Sequence, residues 1–104
     1  MERIGFRMRV RPGQEAEYWL RHQAVWPELL DALRQAGCSN YSIYMDGTEL
    51  FACMQVESFE RFTERMAGSD VNQRWQAQMA DILDPLTDPA TGFHRRLPEV
   101  FHLD

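Results

Sequence analysis

The sequence has no long apolar run: the longest, Leu50 to Met54, is five residues. About 20 are needed to cross a bilayer, so no membrane-spanning helix is expected. The first ten residues, MERIGFRMRV, alternate apolar with mostly charged side chains and hold no apolar block of the kind a secretory signal carries. Cysteine is scarce. Cys38 and Cys53 are the only two, outside any CxxC pair, which suits free thiols in a reducing compartment better than a disulfide framework. The three histidines, His22, His94 and His102, lack HxH, HxxH or HExxH spacing, so no resident metal is expected. GxGxxG, P-loop and GxSxG motifs are also missing, which removes the usual signals for dinucleotide, phosphate-cradling and nucleophile-elbow chemistry.

What remains is a chain of 104 residues and 12.2 kDa, enough for one domain spanning residues 1–104 and one core. Sixteen acidic against 11 basic side chains give a net charge of −5. The basic residues are scattered, whereas a nucleic-acid surface needs them clustered; no nucleic-acid partner is expected. Composition, charge and thiol usage together read as a soluble cytoplasmic domain.

Residues 3–11 alternate, with Ile4, Phe6, Met8 and Val10 on one face, as in a half-buried strand. Pro12-Gly13 breaks the pattern. From Gln14 to Ala36 the spacing becomes helical through Tyr18, His22, Val25 or Trp26, Leu29 and Leu33, and Gly37 supplies a left-handed cap. Pro27 interrupts this stretch, so a kink or restart near Val25–Trp26 is predicted, with Pro27 at the first helical position. Two β-rich runs, 40–46 and 49–57, flank Gly47-Thr48 and predict a hairpin. The second run is apolar on both faces, as in a strand covered on both sides.

A second helical region begins at Ser58 with Phe59, Phe62 and Met66. It is interrupted at Gly68-Ser69-Asp70 and resumes through Val71, Trp75, Met79 and Ile82 or Leu83, with Ser69 or Asp70 as cap. Pro85, Pro89, Gly92 and Pro98 predict an irregular connection, and residues 99–103 read as a last strand. The order β-α-β-β-α-β predicts an α+β, ferredoxin-like split βαβ with an antiparallel sheet. Helices on one sheet face leave the other open, and a second copy of the chain is the simplest cover, so a homodimer is expected.

Tyr18 and His22 are four residues apart and share a helix face. Imidazole both gives and takes protons near neutrality, and a neighbouring phenol can bond a ligand hydroxyl, although most histidines only pack. Trp19, Trp26 and Trp75 all suit a core, Trp26 beside Pro27 foremost. Yet Trp75 lies among Asn72, Gln73, Arg74 and Gln76, near the tyrosines of the 40–46 run, Tyr41 and Tyr44. Sugars offer apolar C–H faces and hydroxyl edges, which an aromatic plate with polar neighbours suits.

Six segments extend this reading: Phe6-x-Met8, Glu17-Tyr18-x3-His22-x3-Trp26-Pro27-Glu28-Leu29, Asn40-Tyr41-Ser42-Ile43-Tyr44-x-Asp46, Leu50-Phe51-Ala52, Asp70-Val71-x-Gln73-Arg74-Trp75 and Glu99-Val100-Phe101-x-Leu103. In this order they resemble the L-rhamnose mutarotase family over essentially the whole chain, the Tyr-x3-His-x3-Trp-Pro-Glu segment being the most specific. The resemblance implies a ferredoxin-like domain paired into a dimeric α/β barrel, interconverting the α and β anomers of a monosaccharide, L-rhamnose, without metal or organic cofactor. It carries a proton-donor role to His22 and substrate contacts to Tyr18, Tyr41 and Trp75. The family often has a second Trp after the one matched by Trp75; here Gln76 occupies that place and is a candidate substrate contact. The segment 84–97 follows the family only loosely.

Mutarotation opens a pyranose ring to its aldehyde and recloses it on the other face. It needs a proton at the ring oxygen and a proton removed from the anomeric hydroxyl, with no nucleophile or metal. His22 is the expected acid; the base is open among a phenol, a water, Glu17 and Glu28. Rival readings are a mutarotase for another deoxysugar such as L-fucose, a cofactor-free monooxygenase or haem-handling enzyme of similar fold, and a non-catalytic sugar-binding module.

Overall fold

Strand β1 (Glu2–Val10) sits inside the sheet of the computed structural model, which describes all 104 residues. Its alternation sends Ile4, Phe6, Met8 and Val10 inward, where all four are buried. β3 (Glu49–Val56) pairs with it antiparallel and buries Leu50, Ala52, Met54 and Val56 on the same face. β2 (Cys38–Asp46) forms the outer edge beside β3, joined by the two-residue turn Gly47-Thr48 with Gly47 at φ 60°. The strand order is β2-β3-β1-β4, antiparallel throughout.

The first crossover is α1 (Glu15–Arg21), a 3₁₀ turn (His22–Ala24) and α2 (Pro27–Gln35). The predicted break at Val25–Trp26 is present. Both residues are extended, as the residue before a proline must be, and Pro27 opens α2 where its missing N–H costs nothing. Gly37 follows at φ 87°. The second crossover is α3 (Phe59–Ala67) and α4 (Asp70–Met79), capped by Ser58 and Ser69, whose hydroxyls accept from Arg61 N and Asn72 N at 3.3 Å. Leu29, Phe62, Met66, Trp75 and Met79 close over the inner sheet face in one buried cluster. Fully burying a side chain of this size contributes about 1.5–3 kcal/mol.

Four expectations need correcting. The second helix stops at Met79, so Ile82 and Leu83 lie beyond it, and Leu83 begins β4 (Leu83–Asp84). Residues 99–103 form no strand. The second edge of β1 pairs instead with β4, opposite Arg9 and Val10, and with β5 (Arg95–Leu97), opposite Arg7 to Gly5. Together β4 and β5 make one fourth strand, broken by the excursion 85–94. That excursion is not wholly irregular, since Thr87 and His94 form a bridge. Trp19, finally, is not core: it is 64% exposed on α1.

The outer sheet face carries Tyr44, Phe51, Cys53 and Leu97 exposed among Arg3, Arg7 and Arg9. The second face of β3 is therefore apolar but uncovered within one chain. No helix is long and apolar enough to cross a membrane.

Candidate active site

His22 owes its position to the break before Pro27. It caps α1, and its Nδ1–H donates to the Tyr18 carbonyl at 3.0 Å. A carbonyl only accepts, so neutral His22 carries its proton on Nδ1 and keeps the Nε2 lone pair free. Its ring stacks on Tyr18, with centroids 4.1 Å apart. On the other side it meets Trp75 edge-on at 5.7 Å. Burial lowers the His22 pKa from its ordinary value, opposed by the bond to the Tyr18 carbonyl. Arg21 fixes the end of α1 by pairing with Glu17 at 2.9 Å and with Asp81 beyond α4 at 3.0 Å.

Tyr41 reaches the site through a β-bulge. The register jumps between Ser39, opposite Gln55, and Ser42, opposite Cys53, so β2 carries one extra residue. Asn40 absorbs it at φ 48° and ties its amide to Gln55 at 2.8 Å. Without the bulge Tyr41 would face outward with Cys53. With it, the ring turns inward to Phe6, at a centroid distance of 6.0 Å. Part of Tyr41 remains exposed, but its hydroxyl lies deep, and burial pushes its pKa, like that of Tyr18, well above the ordinary phenol value. Both phenols are neutral at physiological pH, a form that can donate and accept hydrogen bonds.

Trp75 is brought to the site but is only 7% exposed, held edge-on by Trp26 at 5.1 Å. It forms a wall, not an open plate. Gln76 follows on the exposed side of α4, its amide donating to Asn72 Oδ1 at 3.4 Å.

Three clefts meet here. The largest, about 470 Å³, runs under the excursion between Phe6, Phe62, Thr87 and His94 and does not reach His22. The second, about 360 Å³, opens between α2 and α4 onto His22, Leu33, Ile43 and Trp75. A small one of about 50 Å³ joins Tyr18, His22, Trp75 and His94. Tyr41 and Gln76 line all three, so they mark the junction. The smallest space, not the largest, gathers the proton-bearing side chains Tyr18, His22, Tyr41 and His94. Glu17 and Glu28 line none of the three clefts. No group of three or more His, Cys, Asp or Glu side chains gathers as a metal site.

Sequence reasoning assigned no role to His94. The excursion folds it back so that its ring stacks on Phe6 at 5.0 Å, nearly parallel, while Nδ1–H donates to the Pro85 carbonyl at 2.8 Å. No spacing in the sequence signals this, because Phe6 lies at the opposite end of the chain.

The L-rhamnose mutarotase family model matches residues 3–103. The chain belongs to the L-rhamnose mutarotase family. An L-rhamnose mutarotase of Burkholderia orbicola is 43% identical over 106 residues, covering 100% of both chains. One from Escherichia coli O8 is 40% identical over 105 residues, covering 99% of each. The crystal structure of an L-rhamnose mutarotase from Formosa agariphila superposes with a TM-score of 0.82 at 33% identity, covering 100% of both. Its α+β fold with an antiparallel sheet is therefore the fold of this mutarotase family. Full coverage at both ends means that the broken fourth strand and the apolar C-terminal tail fall within the shared length.

Proposed function

We propose that the chain interconverts the α and β anomers of L-rhamnose at the junction of the three clefts, with His22 as the acid. The observation that carries this reading is the tethered Nδ1 of His22, which leaves Nε2 as the nitrogen free to exchange a proton with a ligand. Protonated His22 delivers that proton to the ring oxygen as the C1–O bond breaks, and takes it back on reclosure. Tyr18 and Tyr41 orient sugar hydroxyls, Trp75 walls one sugar face, and Gln76 bonds an outer hydroxyl. Ring opening and closure use proton transfers alone, of which His22 supplies the one to the ring oxygen. The polar junction suits a sugar better than the apolar ligand of a monooxygenase. Gln76 in place of a second Trp favours a test of L-fucose beside L-rhamnose.

We also infer that two copies pair sheet against sheet into a dimeric α/β barrel. Tyr44, Phe51 and Leu97 form an exposed apolar patch on the open face, and Phe101 in the tail is 79% exposed. Arg7 Nε on this face is buried without a partner. Such a surface is expected at an interface.

Saturation-transfer NMR of anomer exchange tests the activity, with wild type beside His22→Ala. Enhanced L-rhamnose exchange that is lost in the variant supports the assignment. Retained exchange in His22→Ala removes the acid role, and no enhancement with either sugar removes the mutarotase reading. Sedimentation tests the pairing: a wild-type monomer at micromolar concentration would overturn it.

A further inference from the structure

Only four titratable side chains line the three clefts: Tyr18, His22, Tyr41 and His94. No carboxylate, arginine or cysteine joins them. The two phenols hold their protons too tightly to serve as bases near neutrality. His94 is built like His22. Each gives its Nδ1–H to a backbone carbonyl, of Pro85 at 2.8 Å and of Tyr18 at 3.0 Å. Each is fixed by an aromatic stack, on Phe6 and on Tyr18. Neither Nε2 is a buried atom left without a partner, and both imidazoles border the same 50 Å³ space beside Tyr41 and Gln76. Burial lowers the pKa of both imidazoles, so His94 is in the neutral form a base must have, while the charged His22 that the acid role requires is the minor form at physiological pH.

We propose that His94 is the second proton-transferring group of the site, removing the anomeric proton while His22 protonates the ring oxygen. This rests on the mutarotase reading above. In ring opening the anomeric O–H proton passes to His94 Nε2, and its electron pair forms the carbonyl. The C1–O bond pair moves to the ring oxygen, which takes the proton from His22. Opening therefore converts neutral His94 and charged His22 into charged His94 and neutral His22. Reclosure on the other face returns both protons and restores the starting state.

The test is L-rhamnose exchange by saturation-transfer NMR in wild type, His94→Asn and His94→Ala, across sugar concentrations. Asn keeps an N–H near Nδ1 for the Pro85 carbonyl but cannot shuttle a proton. The expected result for His94→Asn is a kcat about 10- to 100-fold lower with KM within about twofold. In His94→Ala, added imidazole should restore part of the lost rate. A His94→Asn kcat within about twofold of wild type, or a rise in KM alone, overturns the assignment. So does a failure of imidazole to rescue folded His94→Ala. Absence of exchange in wild type is a different outcome: it removes the mutarotase reading, and this inference with it.

Discussion

Tyr18 and His22 form a unit one helical turn long: their rings stack at 4.1 Å while the carbonyl of the first accepts from Nδ1 of the second. The Tyr18 residue is 4% exposed, yet its hydroxyl is not a buried group lacking a partner, so it opens on the cleft. Removing the hydroxyls of Tyr18 and Tyr41 therefore leaves packing intact and removes only bonds to a ligand. We expect Tyr18→Phe and Tyr41→Phe to change stability by less than about 1 kcal/mol. Each should raise KM for L-rhamnose by about 2- to 12-fold, the worth of one neutral hydrogen bond. Thermal melts beside concentration-dependent exchange measurements check both.

The two half-buried histidines make stability fall on mild acidification. Both pKa values lie below the ordinary 6.5 in the native state. Above that value both states are neutral and the native fold has its full stability. As pH drops below 6.5, the unfolded chain binds protons first, and stability declines until the native histidines also titrate. The melting temperature should therefore fall from pH 7 to pH 5. The fall should be shallower in the His22→Asn/His94→Asn double variant, measured by circular dichroism in constant ionic strength.

Much of the scaffold was legible in the sequence because local chemistry decided it. Pro27 cannot continue a helix, Gly47 suits a tight turn, and the alternation of Ile4, Phe6, Met8 and Val10 admits one buried face. In the candidate site, the juxtaposition of Tyr18 and His22 was legible, since they lie one helical turn apart. The inward turn of Tyr41 was not, because it depends on Asn40 adopting a positive φ, which the alternation hides. The tail misled for a related reason: Val100, Phe101 and Leu103 have strand composition, but β5 already ends at Leu97, before Pro98, and the tail pairs with no strand. His94 was invisible, since its partners are set by tertiary contact.

Phe93 is what seats the excursion. Its ring packs against Phe6 at 5.1 Å and Phe59 at 5.2 Å. Phe93→Ala should cost about 2–4 kcal/mol, less than a fully buried Phe because the ring is only half-buried. The loosened segment 86–92 should then become the first site of proteolysis, and exchange should slow because His94 loses its position. Limited proteolysis with mass spectrometry, beside the exchange assay, reads both effects. A wild-type digestion pattern would mean that the Pro85 bond to His94 holds the segment by itself.

Gln76 lies on the exposed side of α4 and makes one long bond, to Asn72 at 3.4 Å, so its replacement costs the fold little. It nevertheless borders all three clefts. Gln76→Trp would substitute an apolar plate for an amide at the junction, beside the wall already formed by Trp75. The melting temperature should stay within about 2 °C of wild type, corresponding to less than about 0.5 kcal/mol. The KM ratio between L-rhamnose and L-fucose should shift by about 3- to 10-fold, since the two sugars present different hydroxyl edges to the same surface. Exchange measured for both sugars in both proteins decides it. An unchanged ratio would mean that discrimination lies with Tyr18 and Tyr41, deeper in the site.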